Sequence, residues 1–229
     1  MSEDEIVFDT RIKHPSTMIC AGQTGSGKSF FTKQLLQNKK YIFAPGPPKH
    51  VILFYREWQK LYDEMKSENL VNEFVKGMPE EKTLKKLLEK NVKKGGSLII
   101  FDDLMSDIGN TLSNCFTVYS HHYNTTVLLL IQSLFLENKA YRICSLNAHY
   151  IVLMKNKRDG ASVSYLARQI SPYNTQYITQ AYNKATEKPY SHILFDMRQE
   201  TNDLIRIRSN IFDYPMSVFI DSENKDIII

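Results

Sequence analysis

Three observations place this chain in the α/β class, as a three-layer sandwich around a mainly parallel sheet. Short apolar runs recur along the sequence and are apolar throughout, not alternating with polar residues, as suits strands covered on both faces. Between them lie stretches whose apolar residues repeat at helical spacing. No internal repeat of solenoid length interrupts the alternation. At 229 residues the chain has room for one α/β domain or two small ones. The one strong composition shift is a Lys/Glu-rich stretch over 79–94 that ends in Gly95-Gly96. A single domain over 1–229 is therefore predicted, with an N-terminal arm at 1–14 and a C-terminal sheet extension from about 190 to 229.

The elements follow in order. A strand is predicted over Thr17–Ala21 and a helix over Lys28–Gln37, then a strand at 51–54. A helix at 57–67 carries Trp58, Leu61, Tyr62 and Met65 on one face, a stripe that reads as packing on the sheet. Lys82, Lys85, Lys86, Lys90, Lys93 and Lys94 then recur at helical spacing with Leu84, Leu87 and Leu88 between them. A strand at 98–101 precedes a helix at 111–123 with Leu112, Cys115, Phe116 and Tyr119 on one face. Strands at 126–131 and 149–154 come next. A helix then begins near Ser171-Pro172, which read as N-cap and first helical residue, followed by a strand at 192–195. Apolar segments at 204–207 and 227–229 extend the sheet or form a docking edge.

Composition narrows the class. With 42% hydrophobic and 24% charged residues the chain is globular, which excludes disordered and fibrous architectures. The balance of 29 Lys and Arg against 25 Asp and Glu, a formal +4, permits a polyanionic partner without demanding one. Cys20, Cys115 and Cys144 are odd in number and lack CxxC spacing, so neither a disulfide framework nor a zinc site is indicated. The first residues, Met1-Ser2-Glu3-Asp4-Glu5, are acidic where a signal peptide is basic and then apolar. No apolar run approaches the ~20 residues that span a bilayer. The expectation is a soluble intracellular protein with no membrane partner.

The chemistry concentrates in Gly22-Gln23-Thr24-Gly25-Ser26-Gly27-Lys28-Ser29, a match to G-x-x-x-x-G-K-[ST] set directly after a predicted strand and before a predicted helix. Glycines let such a loop wrap so that backbone N–H groups face an anion, and the helix N-terminus adds partial positive charge. Lys28 would reach the β- and γ-phosphates of ATP, and the Ser29 hydroxyl would ligate Mg²⁺. Four apolar residues and two acids follow in Leu98-Ile99-Ile100-Phe101-Asp102-Asp103, the pattern of a Walker B strand. Asp102 would hold Mg²⁺, and Asp103 sits where a carboxylate can orient and deprotonate an attacking water. The strand at 126–131 ends in Gln132, which would face the γ-phosphate if that strand lies between the other two. The adjacent His121-His122 lack a carboxylate or cysteine at ligand spacing and read as a helix-end pair.

The order of this loop, Asp102-Asp103 and a Gln132-terminated extra strand resembles the additional-strand ATPases of the FtsK–HerA superfamily. Trp58-Gln59-Lys60-Leu61-Tyr62, Ser120-His121-His122-Tyr123-Asn124, Arg142-Ile143-Cys144-Ser145-Leu146-Asn147 and Lys155-Asn156-Lys157-Arg158-Asp159 look like the DNA-packaging ATPases of Polinton/Maverick elements, adintoviruses and related double-stranded DNA viruses. The likeness spans most of 15–159 and thins beyond it; Asp103 stands where many superfamily members carry Glu. It implies a homo-oligomeric ring, hexamer or pentamer, that hydrolyses ATP to thread double-stranded DNA into a capsid regardless of base sequence. It also implies a capsid vertex or portal partner, and action in the host nucleus or cytoplasm where virions assemble. A ring calls for an arginine supplied across the subunit boundary, for which Arg158 and then Arg142 are the candidates. The lysines of 82–94 read first as a solvated helix face; in such a motor they would instead line the channel or dock on a portal. Two other classes stay open on the residues alone: a nucleotide or small-molecule kinase, and a nucleotide-gated assembly protein.

Overall fold

The computed structural model describes residues 8–221. Among the described residues the six apolar runs become strands of a nine-stranded sheet. In chain order the elements are β1 (Ile12–Lys13), β2 (Thr17–Ala21), α1 (Lys28–Gln37), α2 (Lys39–Ile42), β3 (Phe43–Ala44), β4 (His50–Tyr55), α3 (Lys60–Ser67), β5 (Glu73–Lys76), α4 (Glu81–Val92) and β6 (Ser97–Asp102). They continue with α5 (Asn110–Asn114), a π-helical turn (Cys115–Tyr119), α6 (Ser120–His122), β7 (Thr125–Ile131), α7 (Lys139–Leu146) and β8 (Tyr150–Met154). The last are α8 (Gly160–Ile170), α9 (Thr175–Ala185), β9 (His192–Asp196), β10 (Ile207–Ser209) and β11 (Ser217–Phe219), with short 3₁₀ turns at Met105–Asp107 and Asp203–Ile205.

The sheet runs β11-β10-β9-β8-β2-β7-β6-β4-β5. From β5 to β8 every pairing is parallel, and β9, β10 and β11 continue the sheet antiparallel. A separate pair, β1 with β3, is parallel. The central strands carry no polar stripe because both faces are buried: alternate residues go to opposite sides. Met18, Cys20, Ile100, Leu128 and Leu130 pack toward Phe31, Leu35, Tyr62 and Met65 of α1 and α3. Ile19, Ile99, Val127 and Leu129 pack toward Leu84 and Leu88 of α4, Cys115, Tyr141, and Leu166 of α8. Helices therefore cover both faces of the parallel sheet, the expected three-layer α/β class.

Several boundaries differ from expectation for identifiable reasons. The helix placed at 57–67 begins at Lys60, because Gln59 is extended at φ −113° and ψ 146°. Trp58 lies outside it and is 42% exposed. The helix placed at 111–123 forms, interrupted by the π-helical turn, where the Thr117 hydroxyl donates to Ser113 O at 2.9 Å. Ser171-Pro172 does not start a helix. Ser171 ends α8, and α9 begins three residues beyond Pro172, where Asn174 Oδ1 accepts the Tyr177 N–H at 3.1 Å. A residue before proline is driven away from the helical region, so the pair is a break rather than a cap. α7 and α8 were not expected, although Val163, Leu166, Ala167 and Ile170 of α8 recur at i, i+3, i+4 and i+7. The segment at 204–207 divides into the 3₁₀ turn and the start of β10, and 227–229 lies outside the described residues. No helix among the described residues is long and apolar enough to cross a membrane.

Candidate functional site

Parallel pairing brings four strand ends to one edge of the sheet. Ala21 of β2 is in register with Ile131 of β7 and with Leu153 of β8, and Asp102 of β6 is in register with Leu130. Whatever follows these residues must meet at that edge, the usual ligand position of an open parallel sheet. β7 hydrogen-bonds to β2 on one side and β6 on the other. Gln132 thus leaves the sheet between the Gly-rich loop and the acid pair, the position on which its expected role depended.

The loop at 22–29 is shaped by its glycines. A Cβ on Gly22 would stand 2.5 Å from Ser26 Oγ and 2.7 Å from Met154 Cβ, so no larger residue fits beneath the turn. Gly27, at φ 102°, adopts the left-handed conformation that launches α1, and Phe31 N–H makes the first helical bond back to Gly27 O at 2.8 Å. The donors ahead of Phe31 are the unsatisfied N–H groups of a helix start, and they open toward a cavity of about 300 Å³. Thr24, Gly25, Lys28, Ser29, Gln59, Asp102, Asp103 and Gln132 all line it. Ser26 Oγ, buried in the loop, has no hydrogen-bond partner among the described residues.

Lys28 Nζ donates to the carbonyls of Gly22 at 2.6 Å and Gln23 at 3.2 Å, which lays the ammonium across the loop. Burial lowers its pKa, against the pull of Cys20, Asp102 and Asp103. Burial likewise raises the pKa of Asp102, against hydrogen bonds from Tyr62 and Ser29 and the charge of Lys28. Desolvation outweighs mutual attraction in both groups, as burial of Lys28 and Asp102 at the sheet edge dictates.

Ser29 Oγ lies 3.2 Å from Asp102 Oδ2 and 3.4 Å from Gln59 Oε1. Hydroxyl, carboxylate and amide oxygens are hard ligands suited to Mg²⁺, which typically takes one or two protein groups and completes its shell with phosphate and water. The residues present fit that ion. Among the described residues no three His, Cys, Asp or Glu side chains cluster to hold a metal by themselves. His121 and His122 end α6, exposed, with the His121 ring edge-on to His149 at 5.9 Å.

Asp103 is exposed and takes a positive φ of 57°, a conformation that Asp tolerates better than most residues. The loop after it is clamped from the next strand. Arg56, directly beyond β4, donates from Nε to Asp103 O at 3.1 Å and also bonds Ser106 and Asp107. Gln132 is exposed at the cavity, its N–H directed at Met105 Sδ at 3.3 Å.

Arg56 was not read from sequence, and Gln59 and Tyr62 entered only as part of a resembling segment and, for Tyr62, a packing stripe, with no role at this site. The Tyr62 hydroxyl donates to Asp102 Oδ2 at 2.7 Å, so the stripe at 58–65 is not packing alone. The signal was a spatial one, the pairing of Tyr55 with Asp102 that sets the β4–α3 connection beside the acid pair. The arginines stand apart. Arg142 is exposed on α7, and Arg158 is exposed just ahead of α8; neither lines the cavity. Asp159 caps α8 by accepting the Ser162 N–H at 3.0 Å and pairs with no arginine among the described residues. Of the 82–94 lysines, Lys85 pairs with Glu81 at 3.2 Å; Lys82, Lys86, Lys90, Lys93 and Lys94 are exposed.

No protein-family model matches the chain, and no curated protein matches it. Among solved structures it is similar to the cytoplasmic domain of the type VII secretion ATPase EccC of Thermomonospora curvata, at 16% identity and a TM-score of 0.51 over 85% of this chain and 26% of that one. Weaker likenesses are to EssC (ATPases 2 and 3) of Geobacillus thermodenitrificans, 11% identical with a TM-score of 0.49 over 66% of this chain and 34% of that one, and to the flagellar accessory protein FlaH of Methanocaldococcus jannaschii, 16% identical with a TM-score of 0.39 over 62% and 72%. The chain spans about a quarter of the EccC chain and a third of the EssC chain. At such identity the EccC likeness shows a shared fold alone: an α/β architecture with a large, mostly parallel sheet.

Proposed function

We propose that this chain is an ATP hydrolase that, as a homo-oligomeric ring, drives double-stranded DNA into a capsid. The observation that carries the hydrolase reading is the convergence of Lys28, Ser29, Asp102, Asp103 and Gln132 on one cavity, with β7 inserted between β2 and β6. Each has work suited to its chemistry. The loop N–H groups and Lys28 hold the phosphates. Ser29 and Asp102 hold Mg²⁺, which when bound supplies positive charge against the phosphate oxygens. Asp103 accepts the proton of the attacking water as that oxygen bonds to the terminal phosphorus and ADP leaves. Gln132, with a donor and an acceptor on one amide, orients that water or registers the loss of the phosphate.

The ring, the DNA and the capsid partner rest on the resemblance of 15–159 to packaging ATPases. Arg158 and Arg142, both exposed, are the groups a neighbouring subunit would offer to the phosphates. The exposed lysines near α4 supply the sequence-independent charge that tracking a phosphate backbone needs.

The test is ATP turnover by the purified chain with and without double-stranded DNA of unrelated sequences. Stimulation by every DNA, abolished by Lys28→Ala and by Asp102→Ala, is the expected result. Equal rates with and without DNA, under conditions where the ring forms, would sink the motor reading and leave the hydrolase. Phosphate transfer to a nucleoside monophosphate would make it a kinase.

A further inference from the structure

Asp102 is held from two directions. Ser29 reaches Asp102 Oδ2 from α1 at 3.2 Å, and Tyr62 reaches the same oxygen from α3 at 2.7 Å. Tyr62 is fully buried, and its hydroxyl has that carboxylate as its partner. Its ring is fixed by aromatic neighbours on three sides: Tyr55 at 5.6 Å, Trp58 at 5.6 Å and Phe74 at 6.0 Å between centroids. A phenol so caged has little freedom, and the carboxylate it holds shares that rigidity.

We infer that Tyr62 is a positioning residue for the divalent-cation site, fixing the Asp102 carboxylate beside Ser29 so that both oxygens serve one Mg²⁺ ion. The geometry favours this over a purely structural hydroxyl. A tyrosine that merely filled the core would be replaceable by phenylalanine, since the cage around it is aromatic. Here the hydroxyl ends on the side chain that also faces the P-loop hydroxyl. Groups that orient metal ligands without touching the metal commonly change metal affinity by about 10- to 100-fold when removed. The inference rests on the proposed nucleotide site and adds to it an outer support supplied by α3.

The chain carries its own reporter, because Trp58 is its sole tryptophan and stands against Tyr62. In the full-length protein saturated with a non-hydrolysable ATP analogue, Mg²⁺ is titrated while Trp58 emission is followed. Binding of a fluorescent ATP analogue in EDTA is measured separately, and thermal unfolding is recorded for each variant. Tyr62→Phe should raise the Mg²⁺ midpoint roughly tenfold or more while leaving metal-free nucleotide binding at the wild-type level. An unchanged Mg²⁺ midpoint in Tyr62→Phe, including one accompanied by a lower unfolding temperature, would overturn the inference and leave the nucleotide site intact. If the wild type bound no nucleotide in either condition while Lys28→Ala behaved identically, the nucleotide site itself would fall, and this inference with it.

Discussion

At the scale of single residues, the Gly-rich loop and the acid pair are held by side chains: Lys28 lies across the loop, Tyr62 grips Asp102, and Arg56 grips the turn at Asp103. Gly22, Gly27, Lys28 and Ser29 announce themselves because a phosphate cradle needs small residues, a cation and a hydroxyl at fixed spacing along one continuous segment. Asp102 and Asp103 stand out in the sequence because a buried run that ends in acids has few bland explanations. Arg56, Gln59 and Tyr62 carry no comparable local pattern; their meaning comes from a neighbouring strand. His192 was placed only as the start of a strand, yet it is the buried titratable group with the clearest pH consequence. It lies between Phe31 and Phe212 with ring centroids at 4.9 and 5.6 Å, and its Nε2 has no hydrogen-bond partner among the described residues. Burial lowers its pKa from 6.5 to about 4. The unfolded chain therefore binds this proton more readily than the folded one between those values. Stability is whole above pH 6.5 and declines as pH falls toward 4, by about 2 kcal/mol at pH 5 for this group. Denaturant unfolding at pH 7 and pH 5 should show a smaller loss in His192→Phe than in the wild type, and equal losses would contradict the assignment.

At the scale of elements, the central parallel strands β2, β4, β6, β7 and β8 were read closely because their burial on both faces leaves no polar residue to blur the run, whereas β5, parallel at the edge and only half-buried, was not. β2 and α1 stand at the expected residues. Of the helices over 139–170, α8 carries a legible stripe in Val163, Leu166, Ala167 and Ile170 that was not taken up, whereas α7 buries only Tyr141 and Cys144. The start of α8 is defined by its cap. The Asp159 side chain accepts the Ser162 N–H and also bonds the Ser162 hydroxyl. Asp159→Ala should cost about 1 kcal/mol of stability, measurable as a shift in the denaturant midpoint. A loss near zero would mean that packing, not the cap, holds the start of this helix.

At the scale of the whole molecule, the α/β class was legible from the alternation of runs and helices, whereas the antiparallel edge of the sheet was not. β9 meets β8 antiparallel, and a connection of that kind leaves no trace in hydropathy. The edge is pinned by a buried charge group: Asp196 of β9 accepts two bonds from Arg198, at 3.0 and 2.7 Å, and one from Arg208 of β10 at 3.0 Å. Arg208 in turn donates to Thr10 O at 2.9 Å, which ties the chain before β1 to β10. Asp196→Ala would leave the Arg208 guanidinium, 1% exposed, with Thr10 O and Arg198 with Glu200 but no buried counter-charge, and should destabilise the fold by roughly 3–5 kcal/mol. A change below about 1 kcal/mol by urea unfolding would show that water rescues the arginines. The insertion of β7 beside β2 also has a temporal side. Thr17 pairs with Val127 and Met18 with Tyr150, so both flanks of the strand that carries the Gly-rich loop are supplied by chain made much later. At roughly 5–20 residues per second, synthesis leaves that strand uncovered on both edges for on the order of ten seconds. Throughout that interval the newborn loop has no frame to hold its curl, and β2 is the segment most in need of shielding from other unfinished chains.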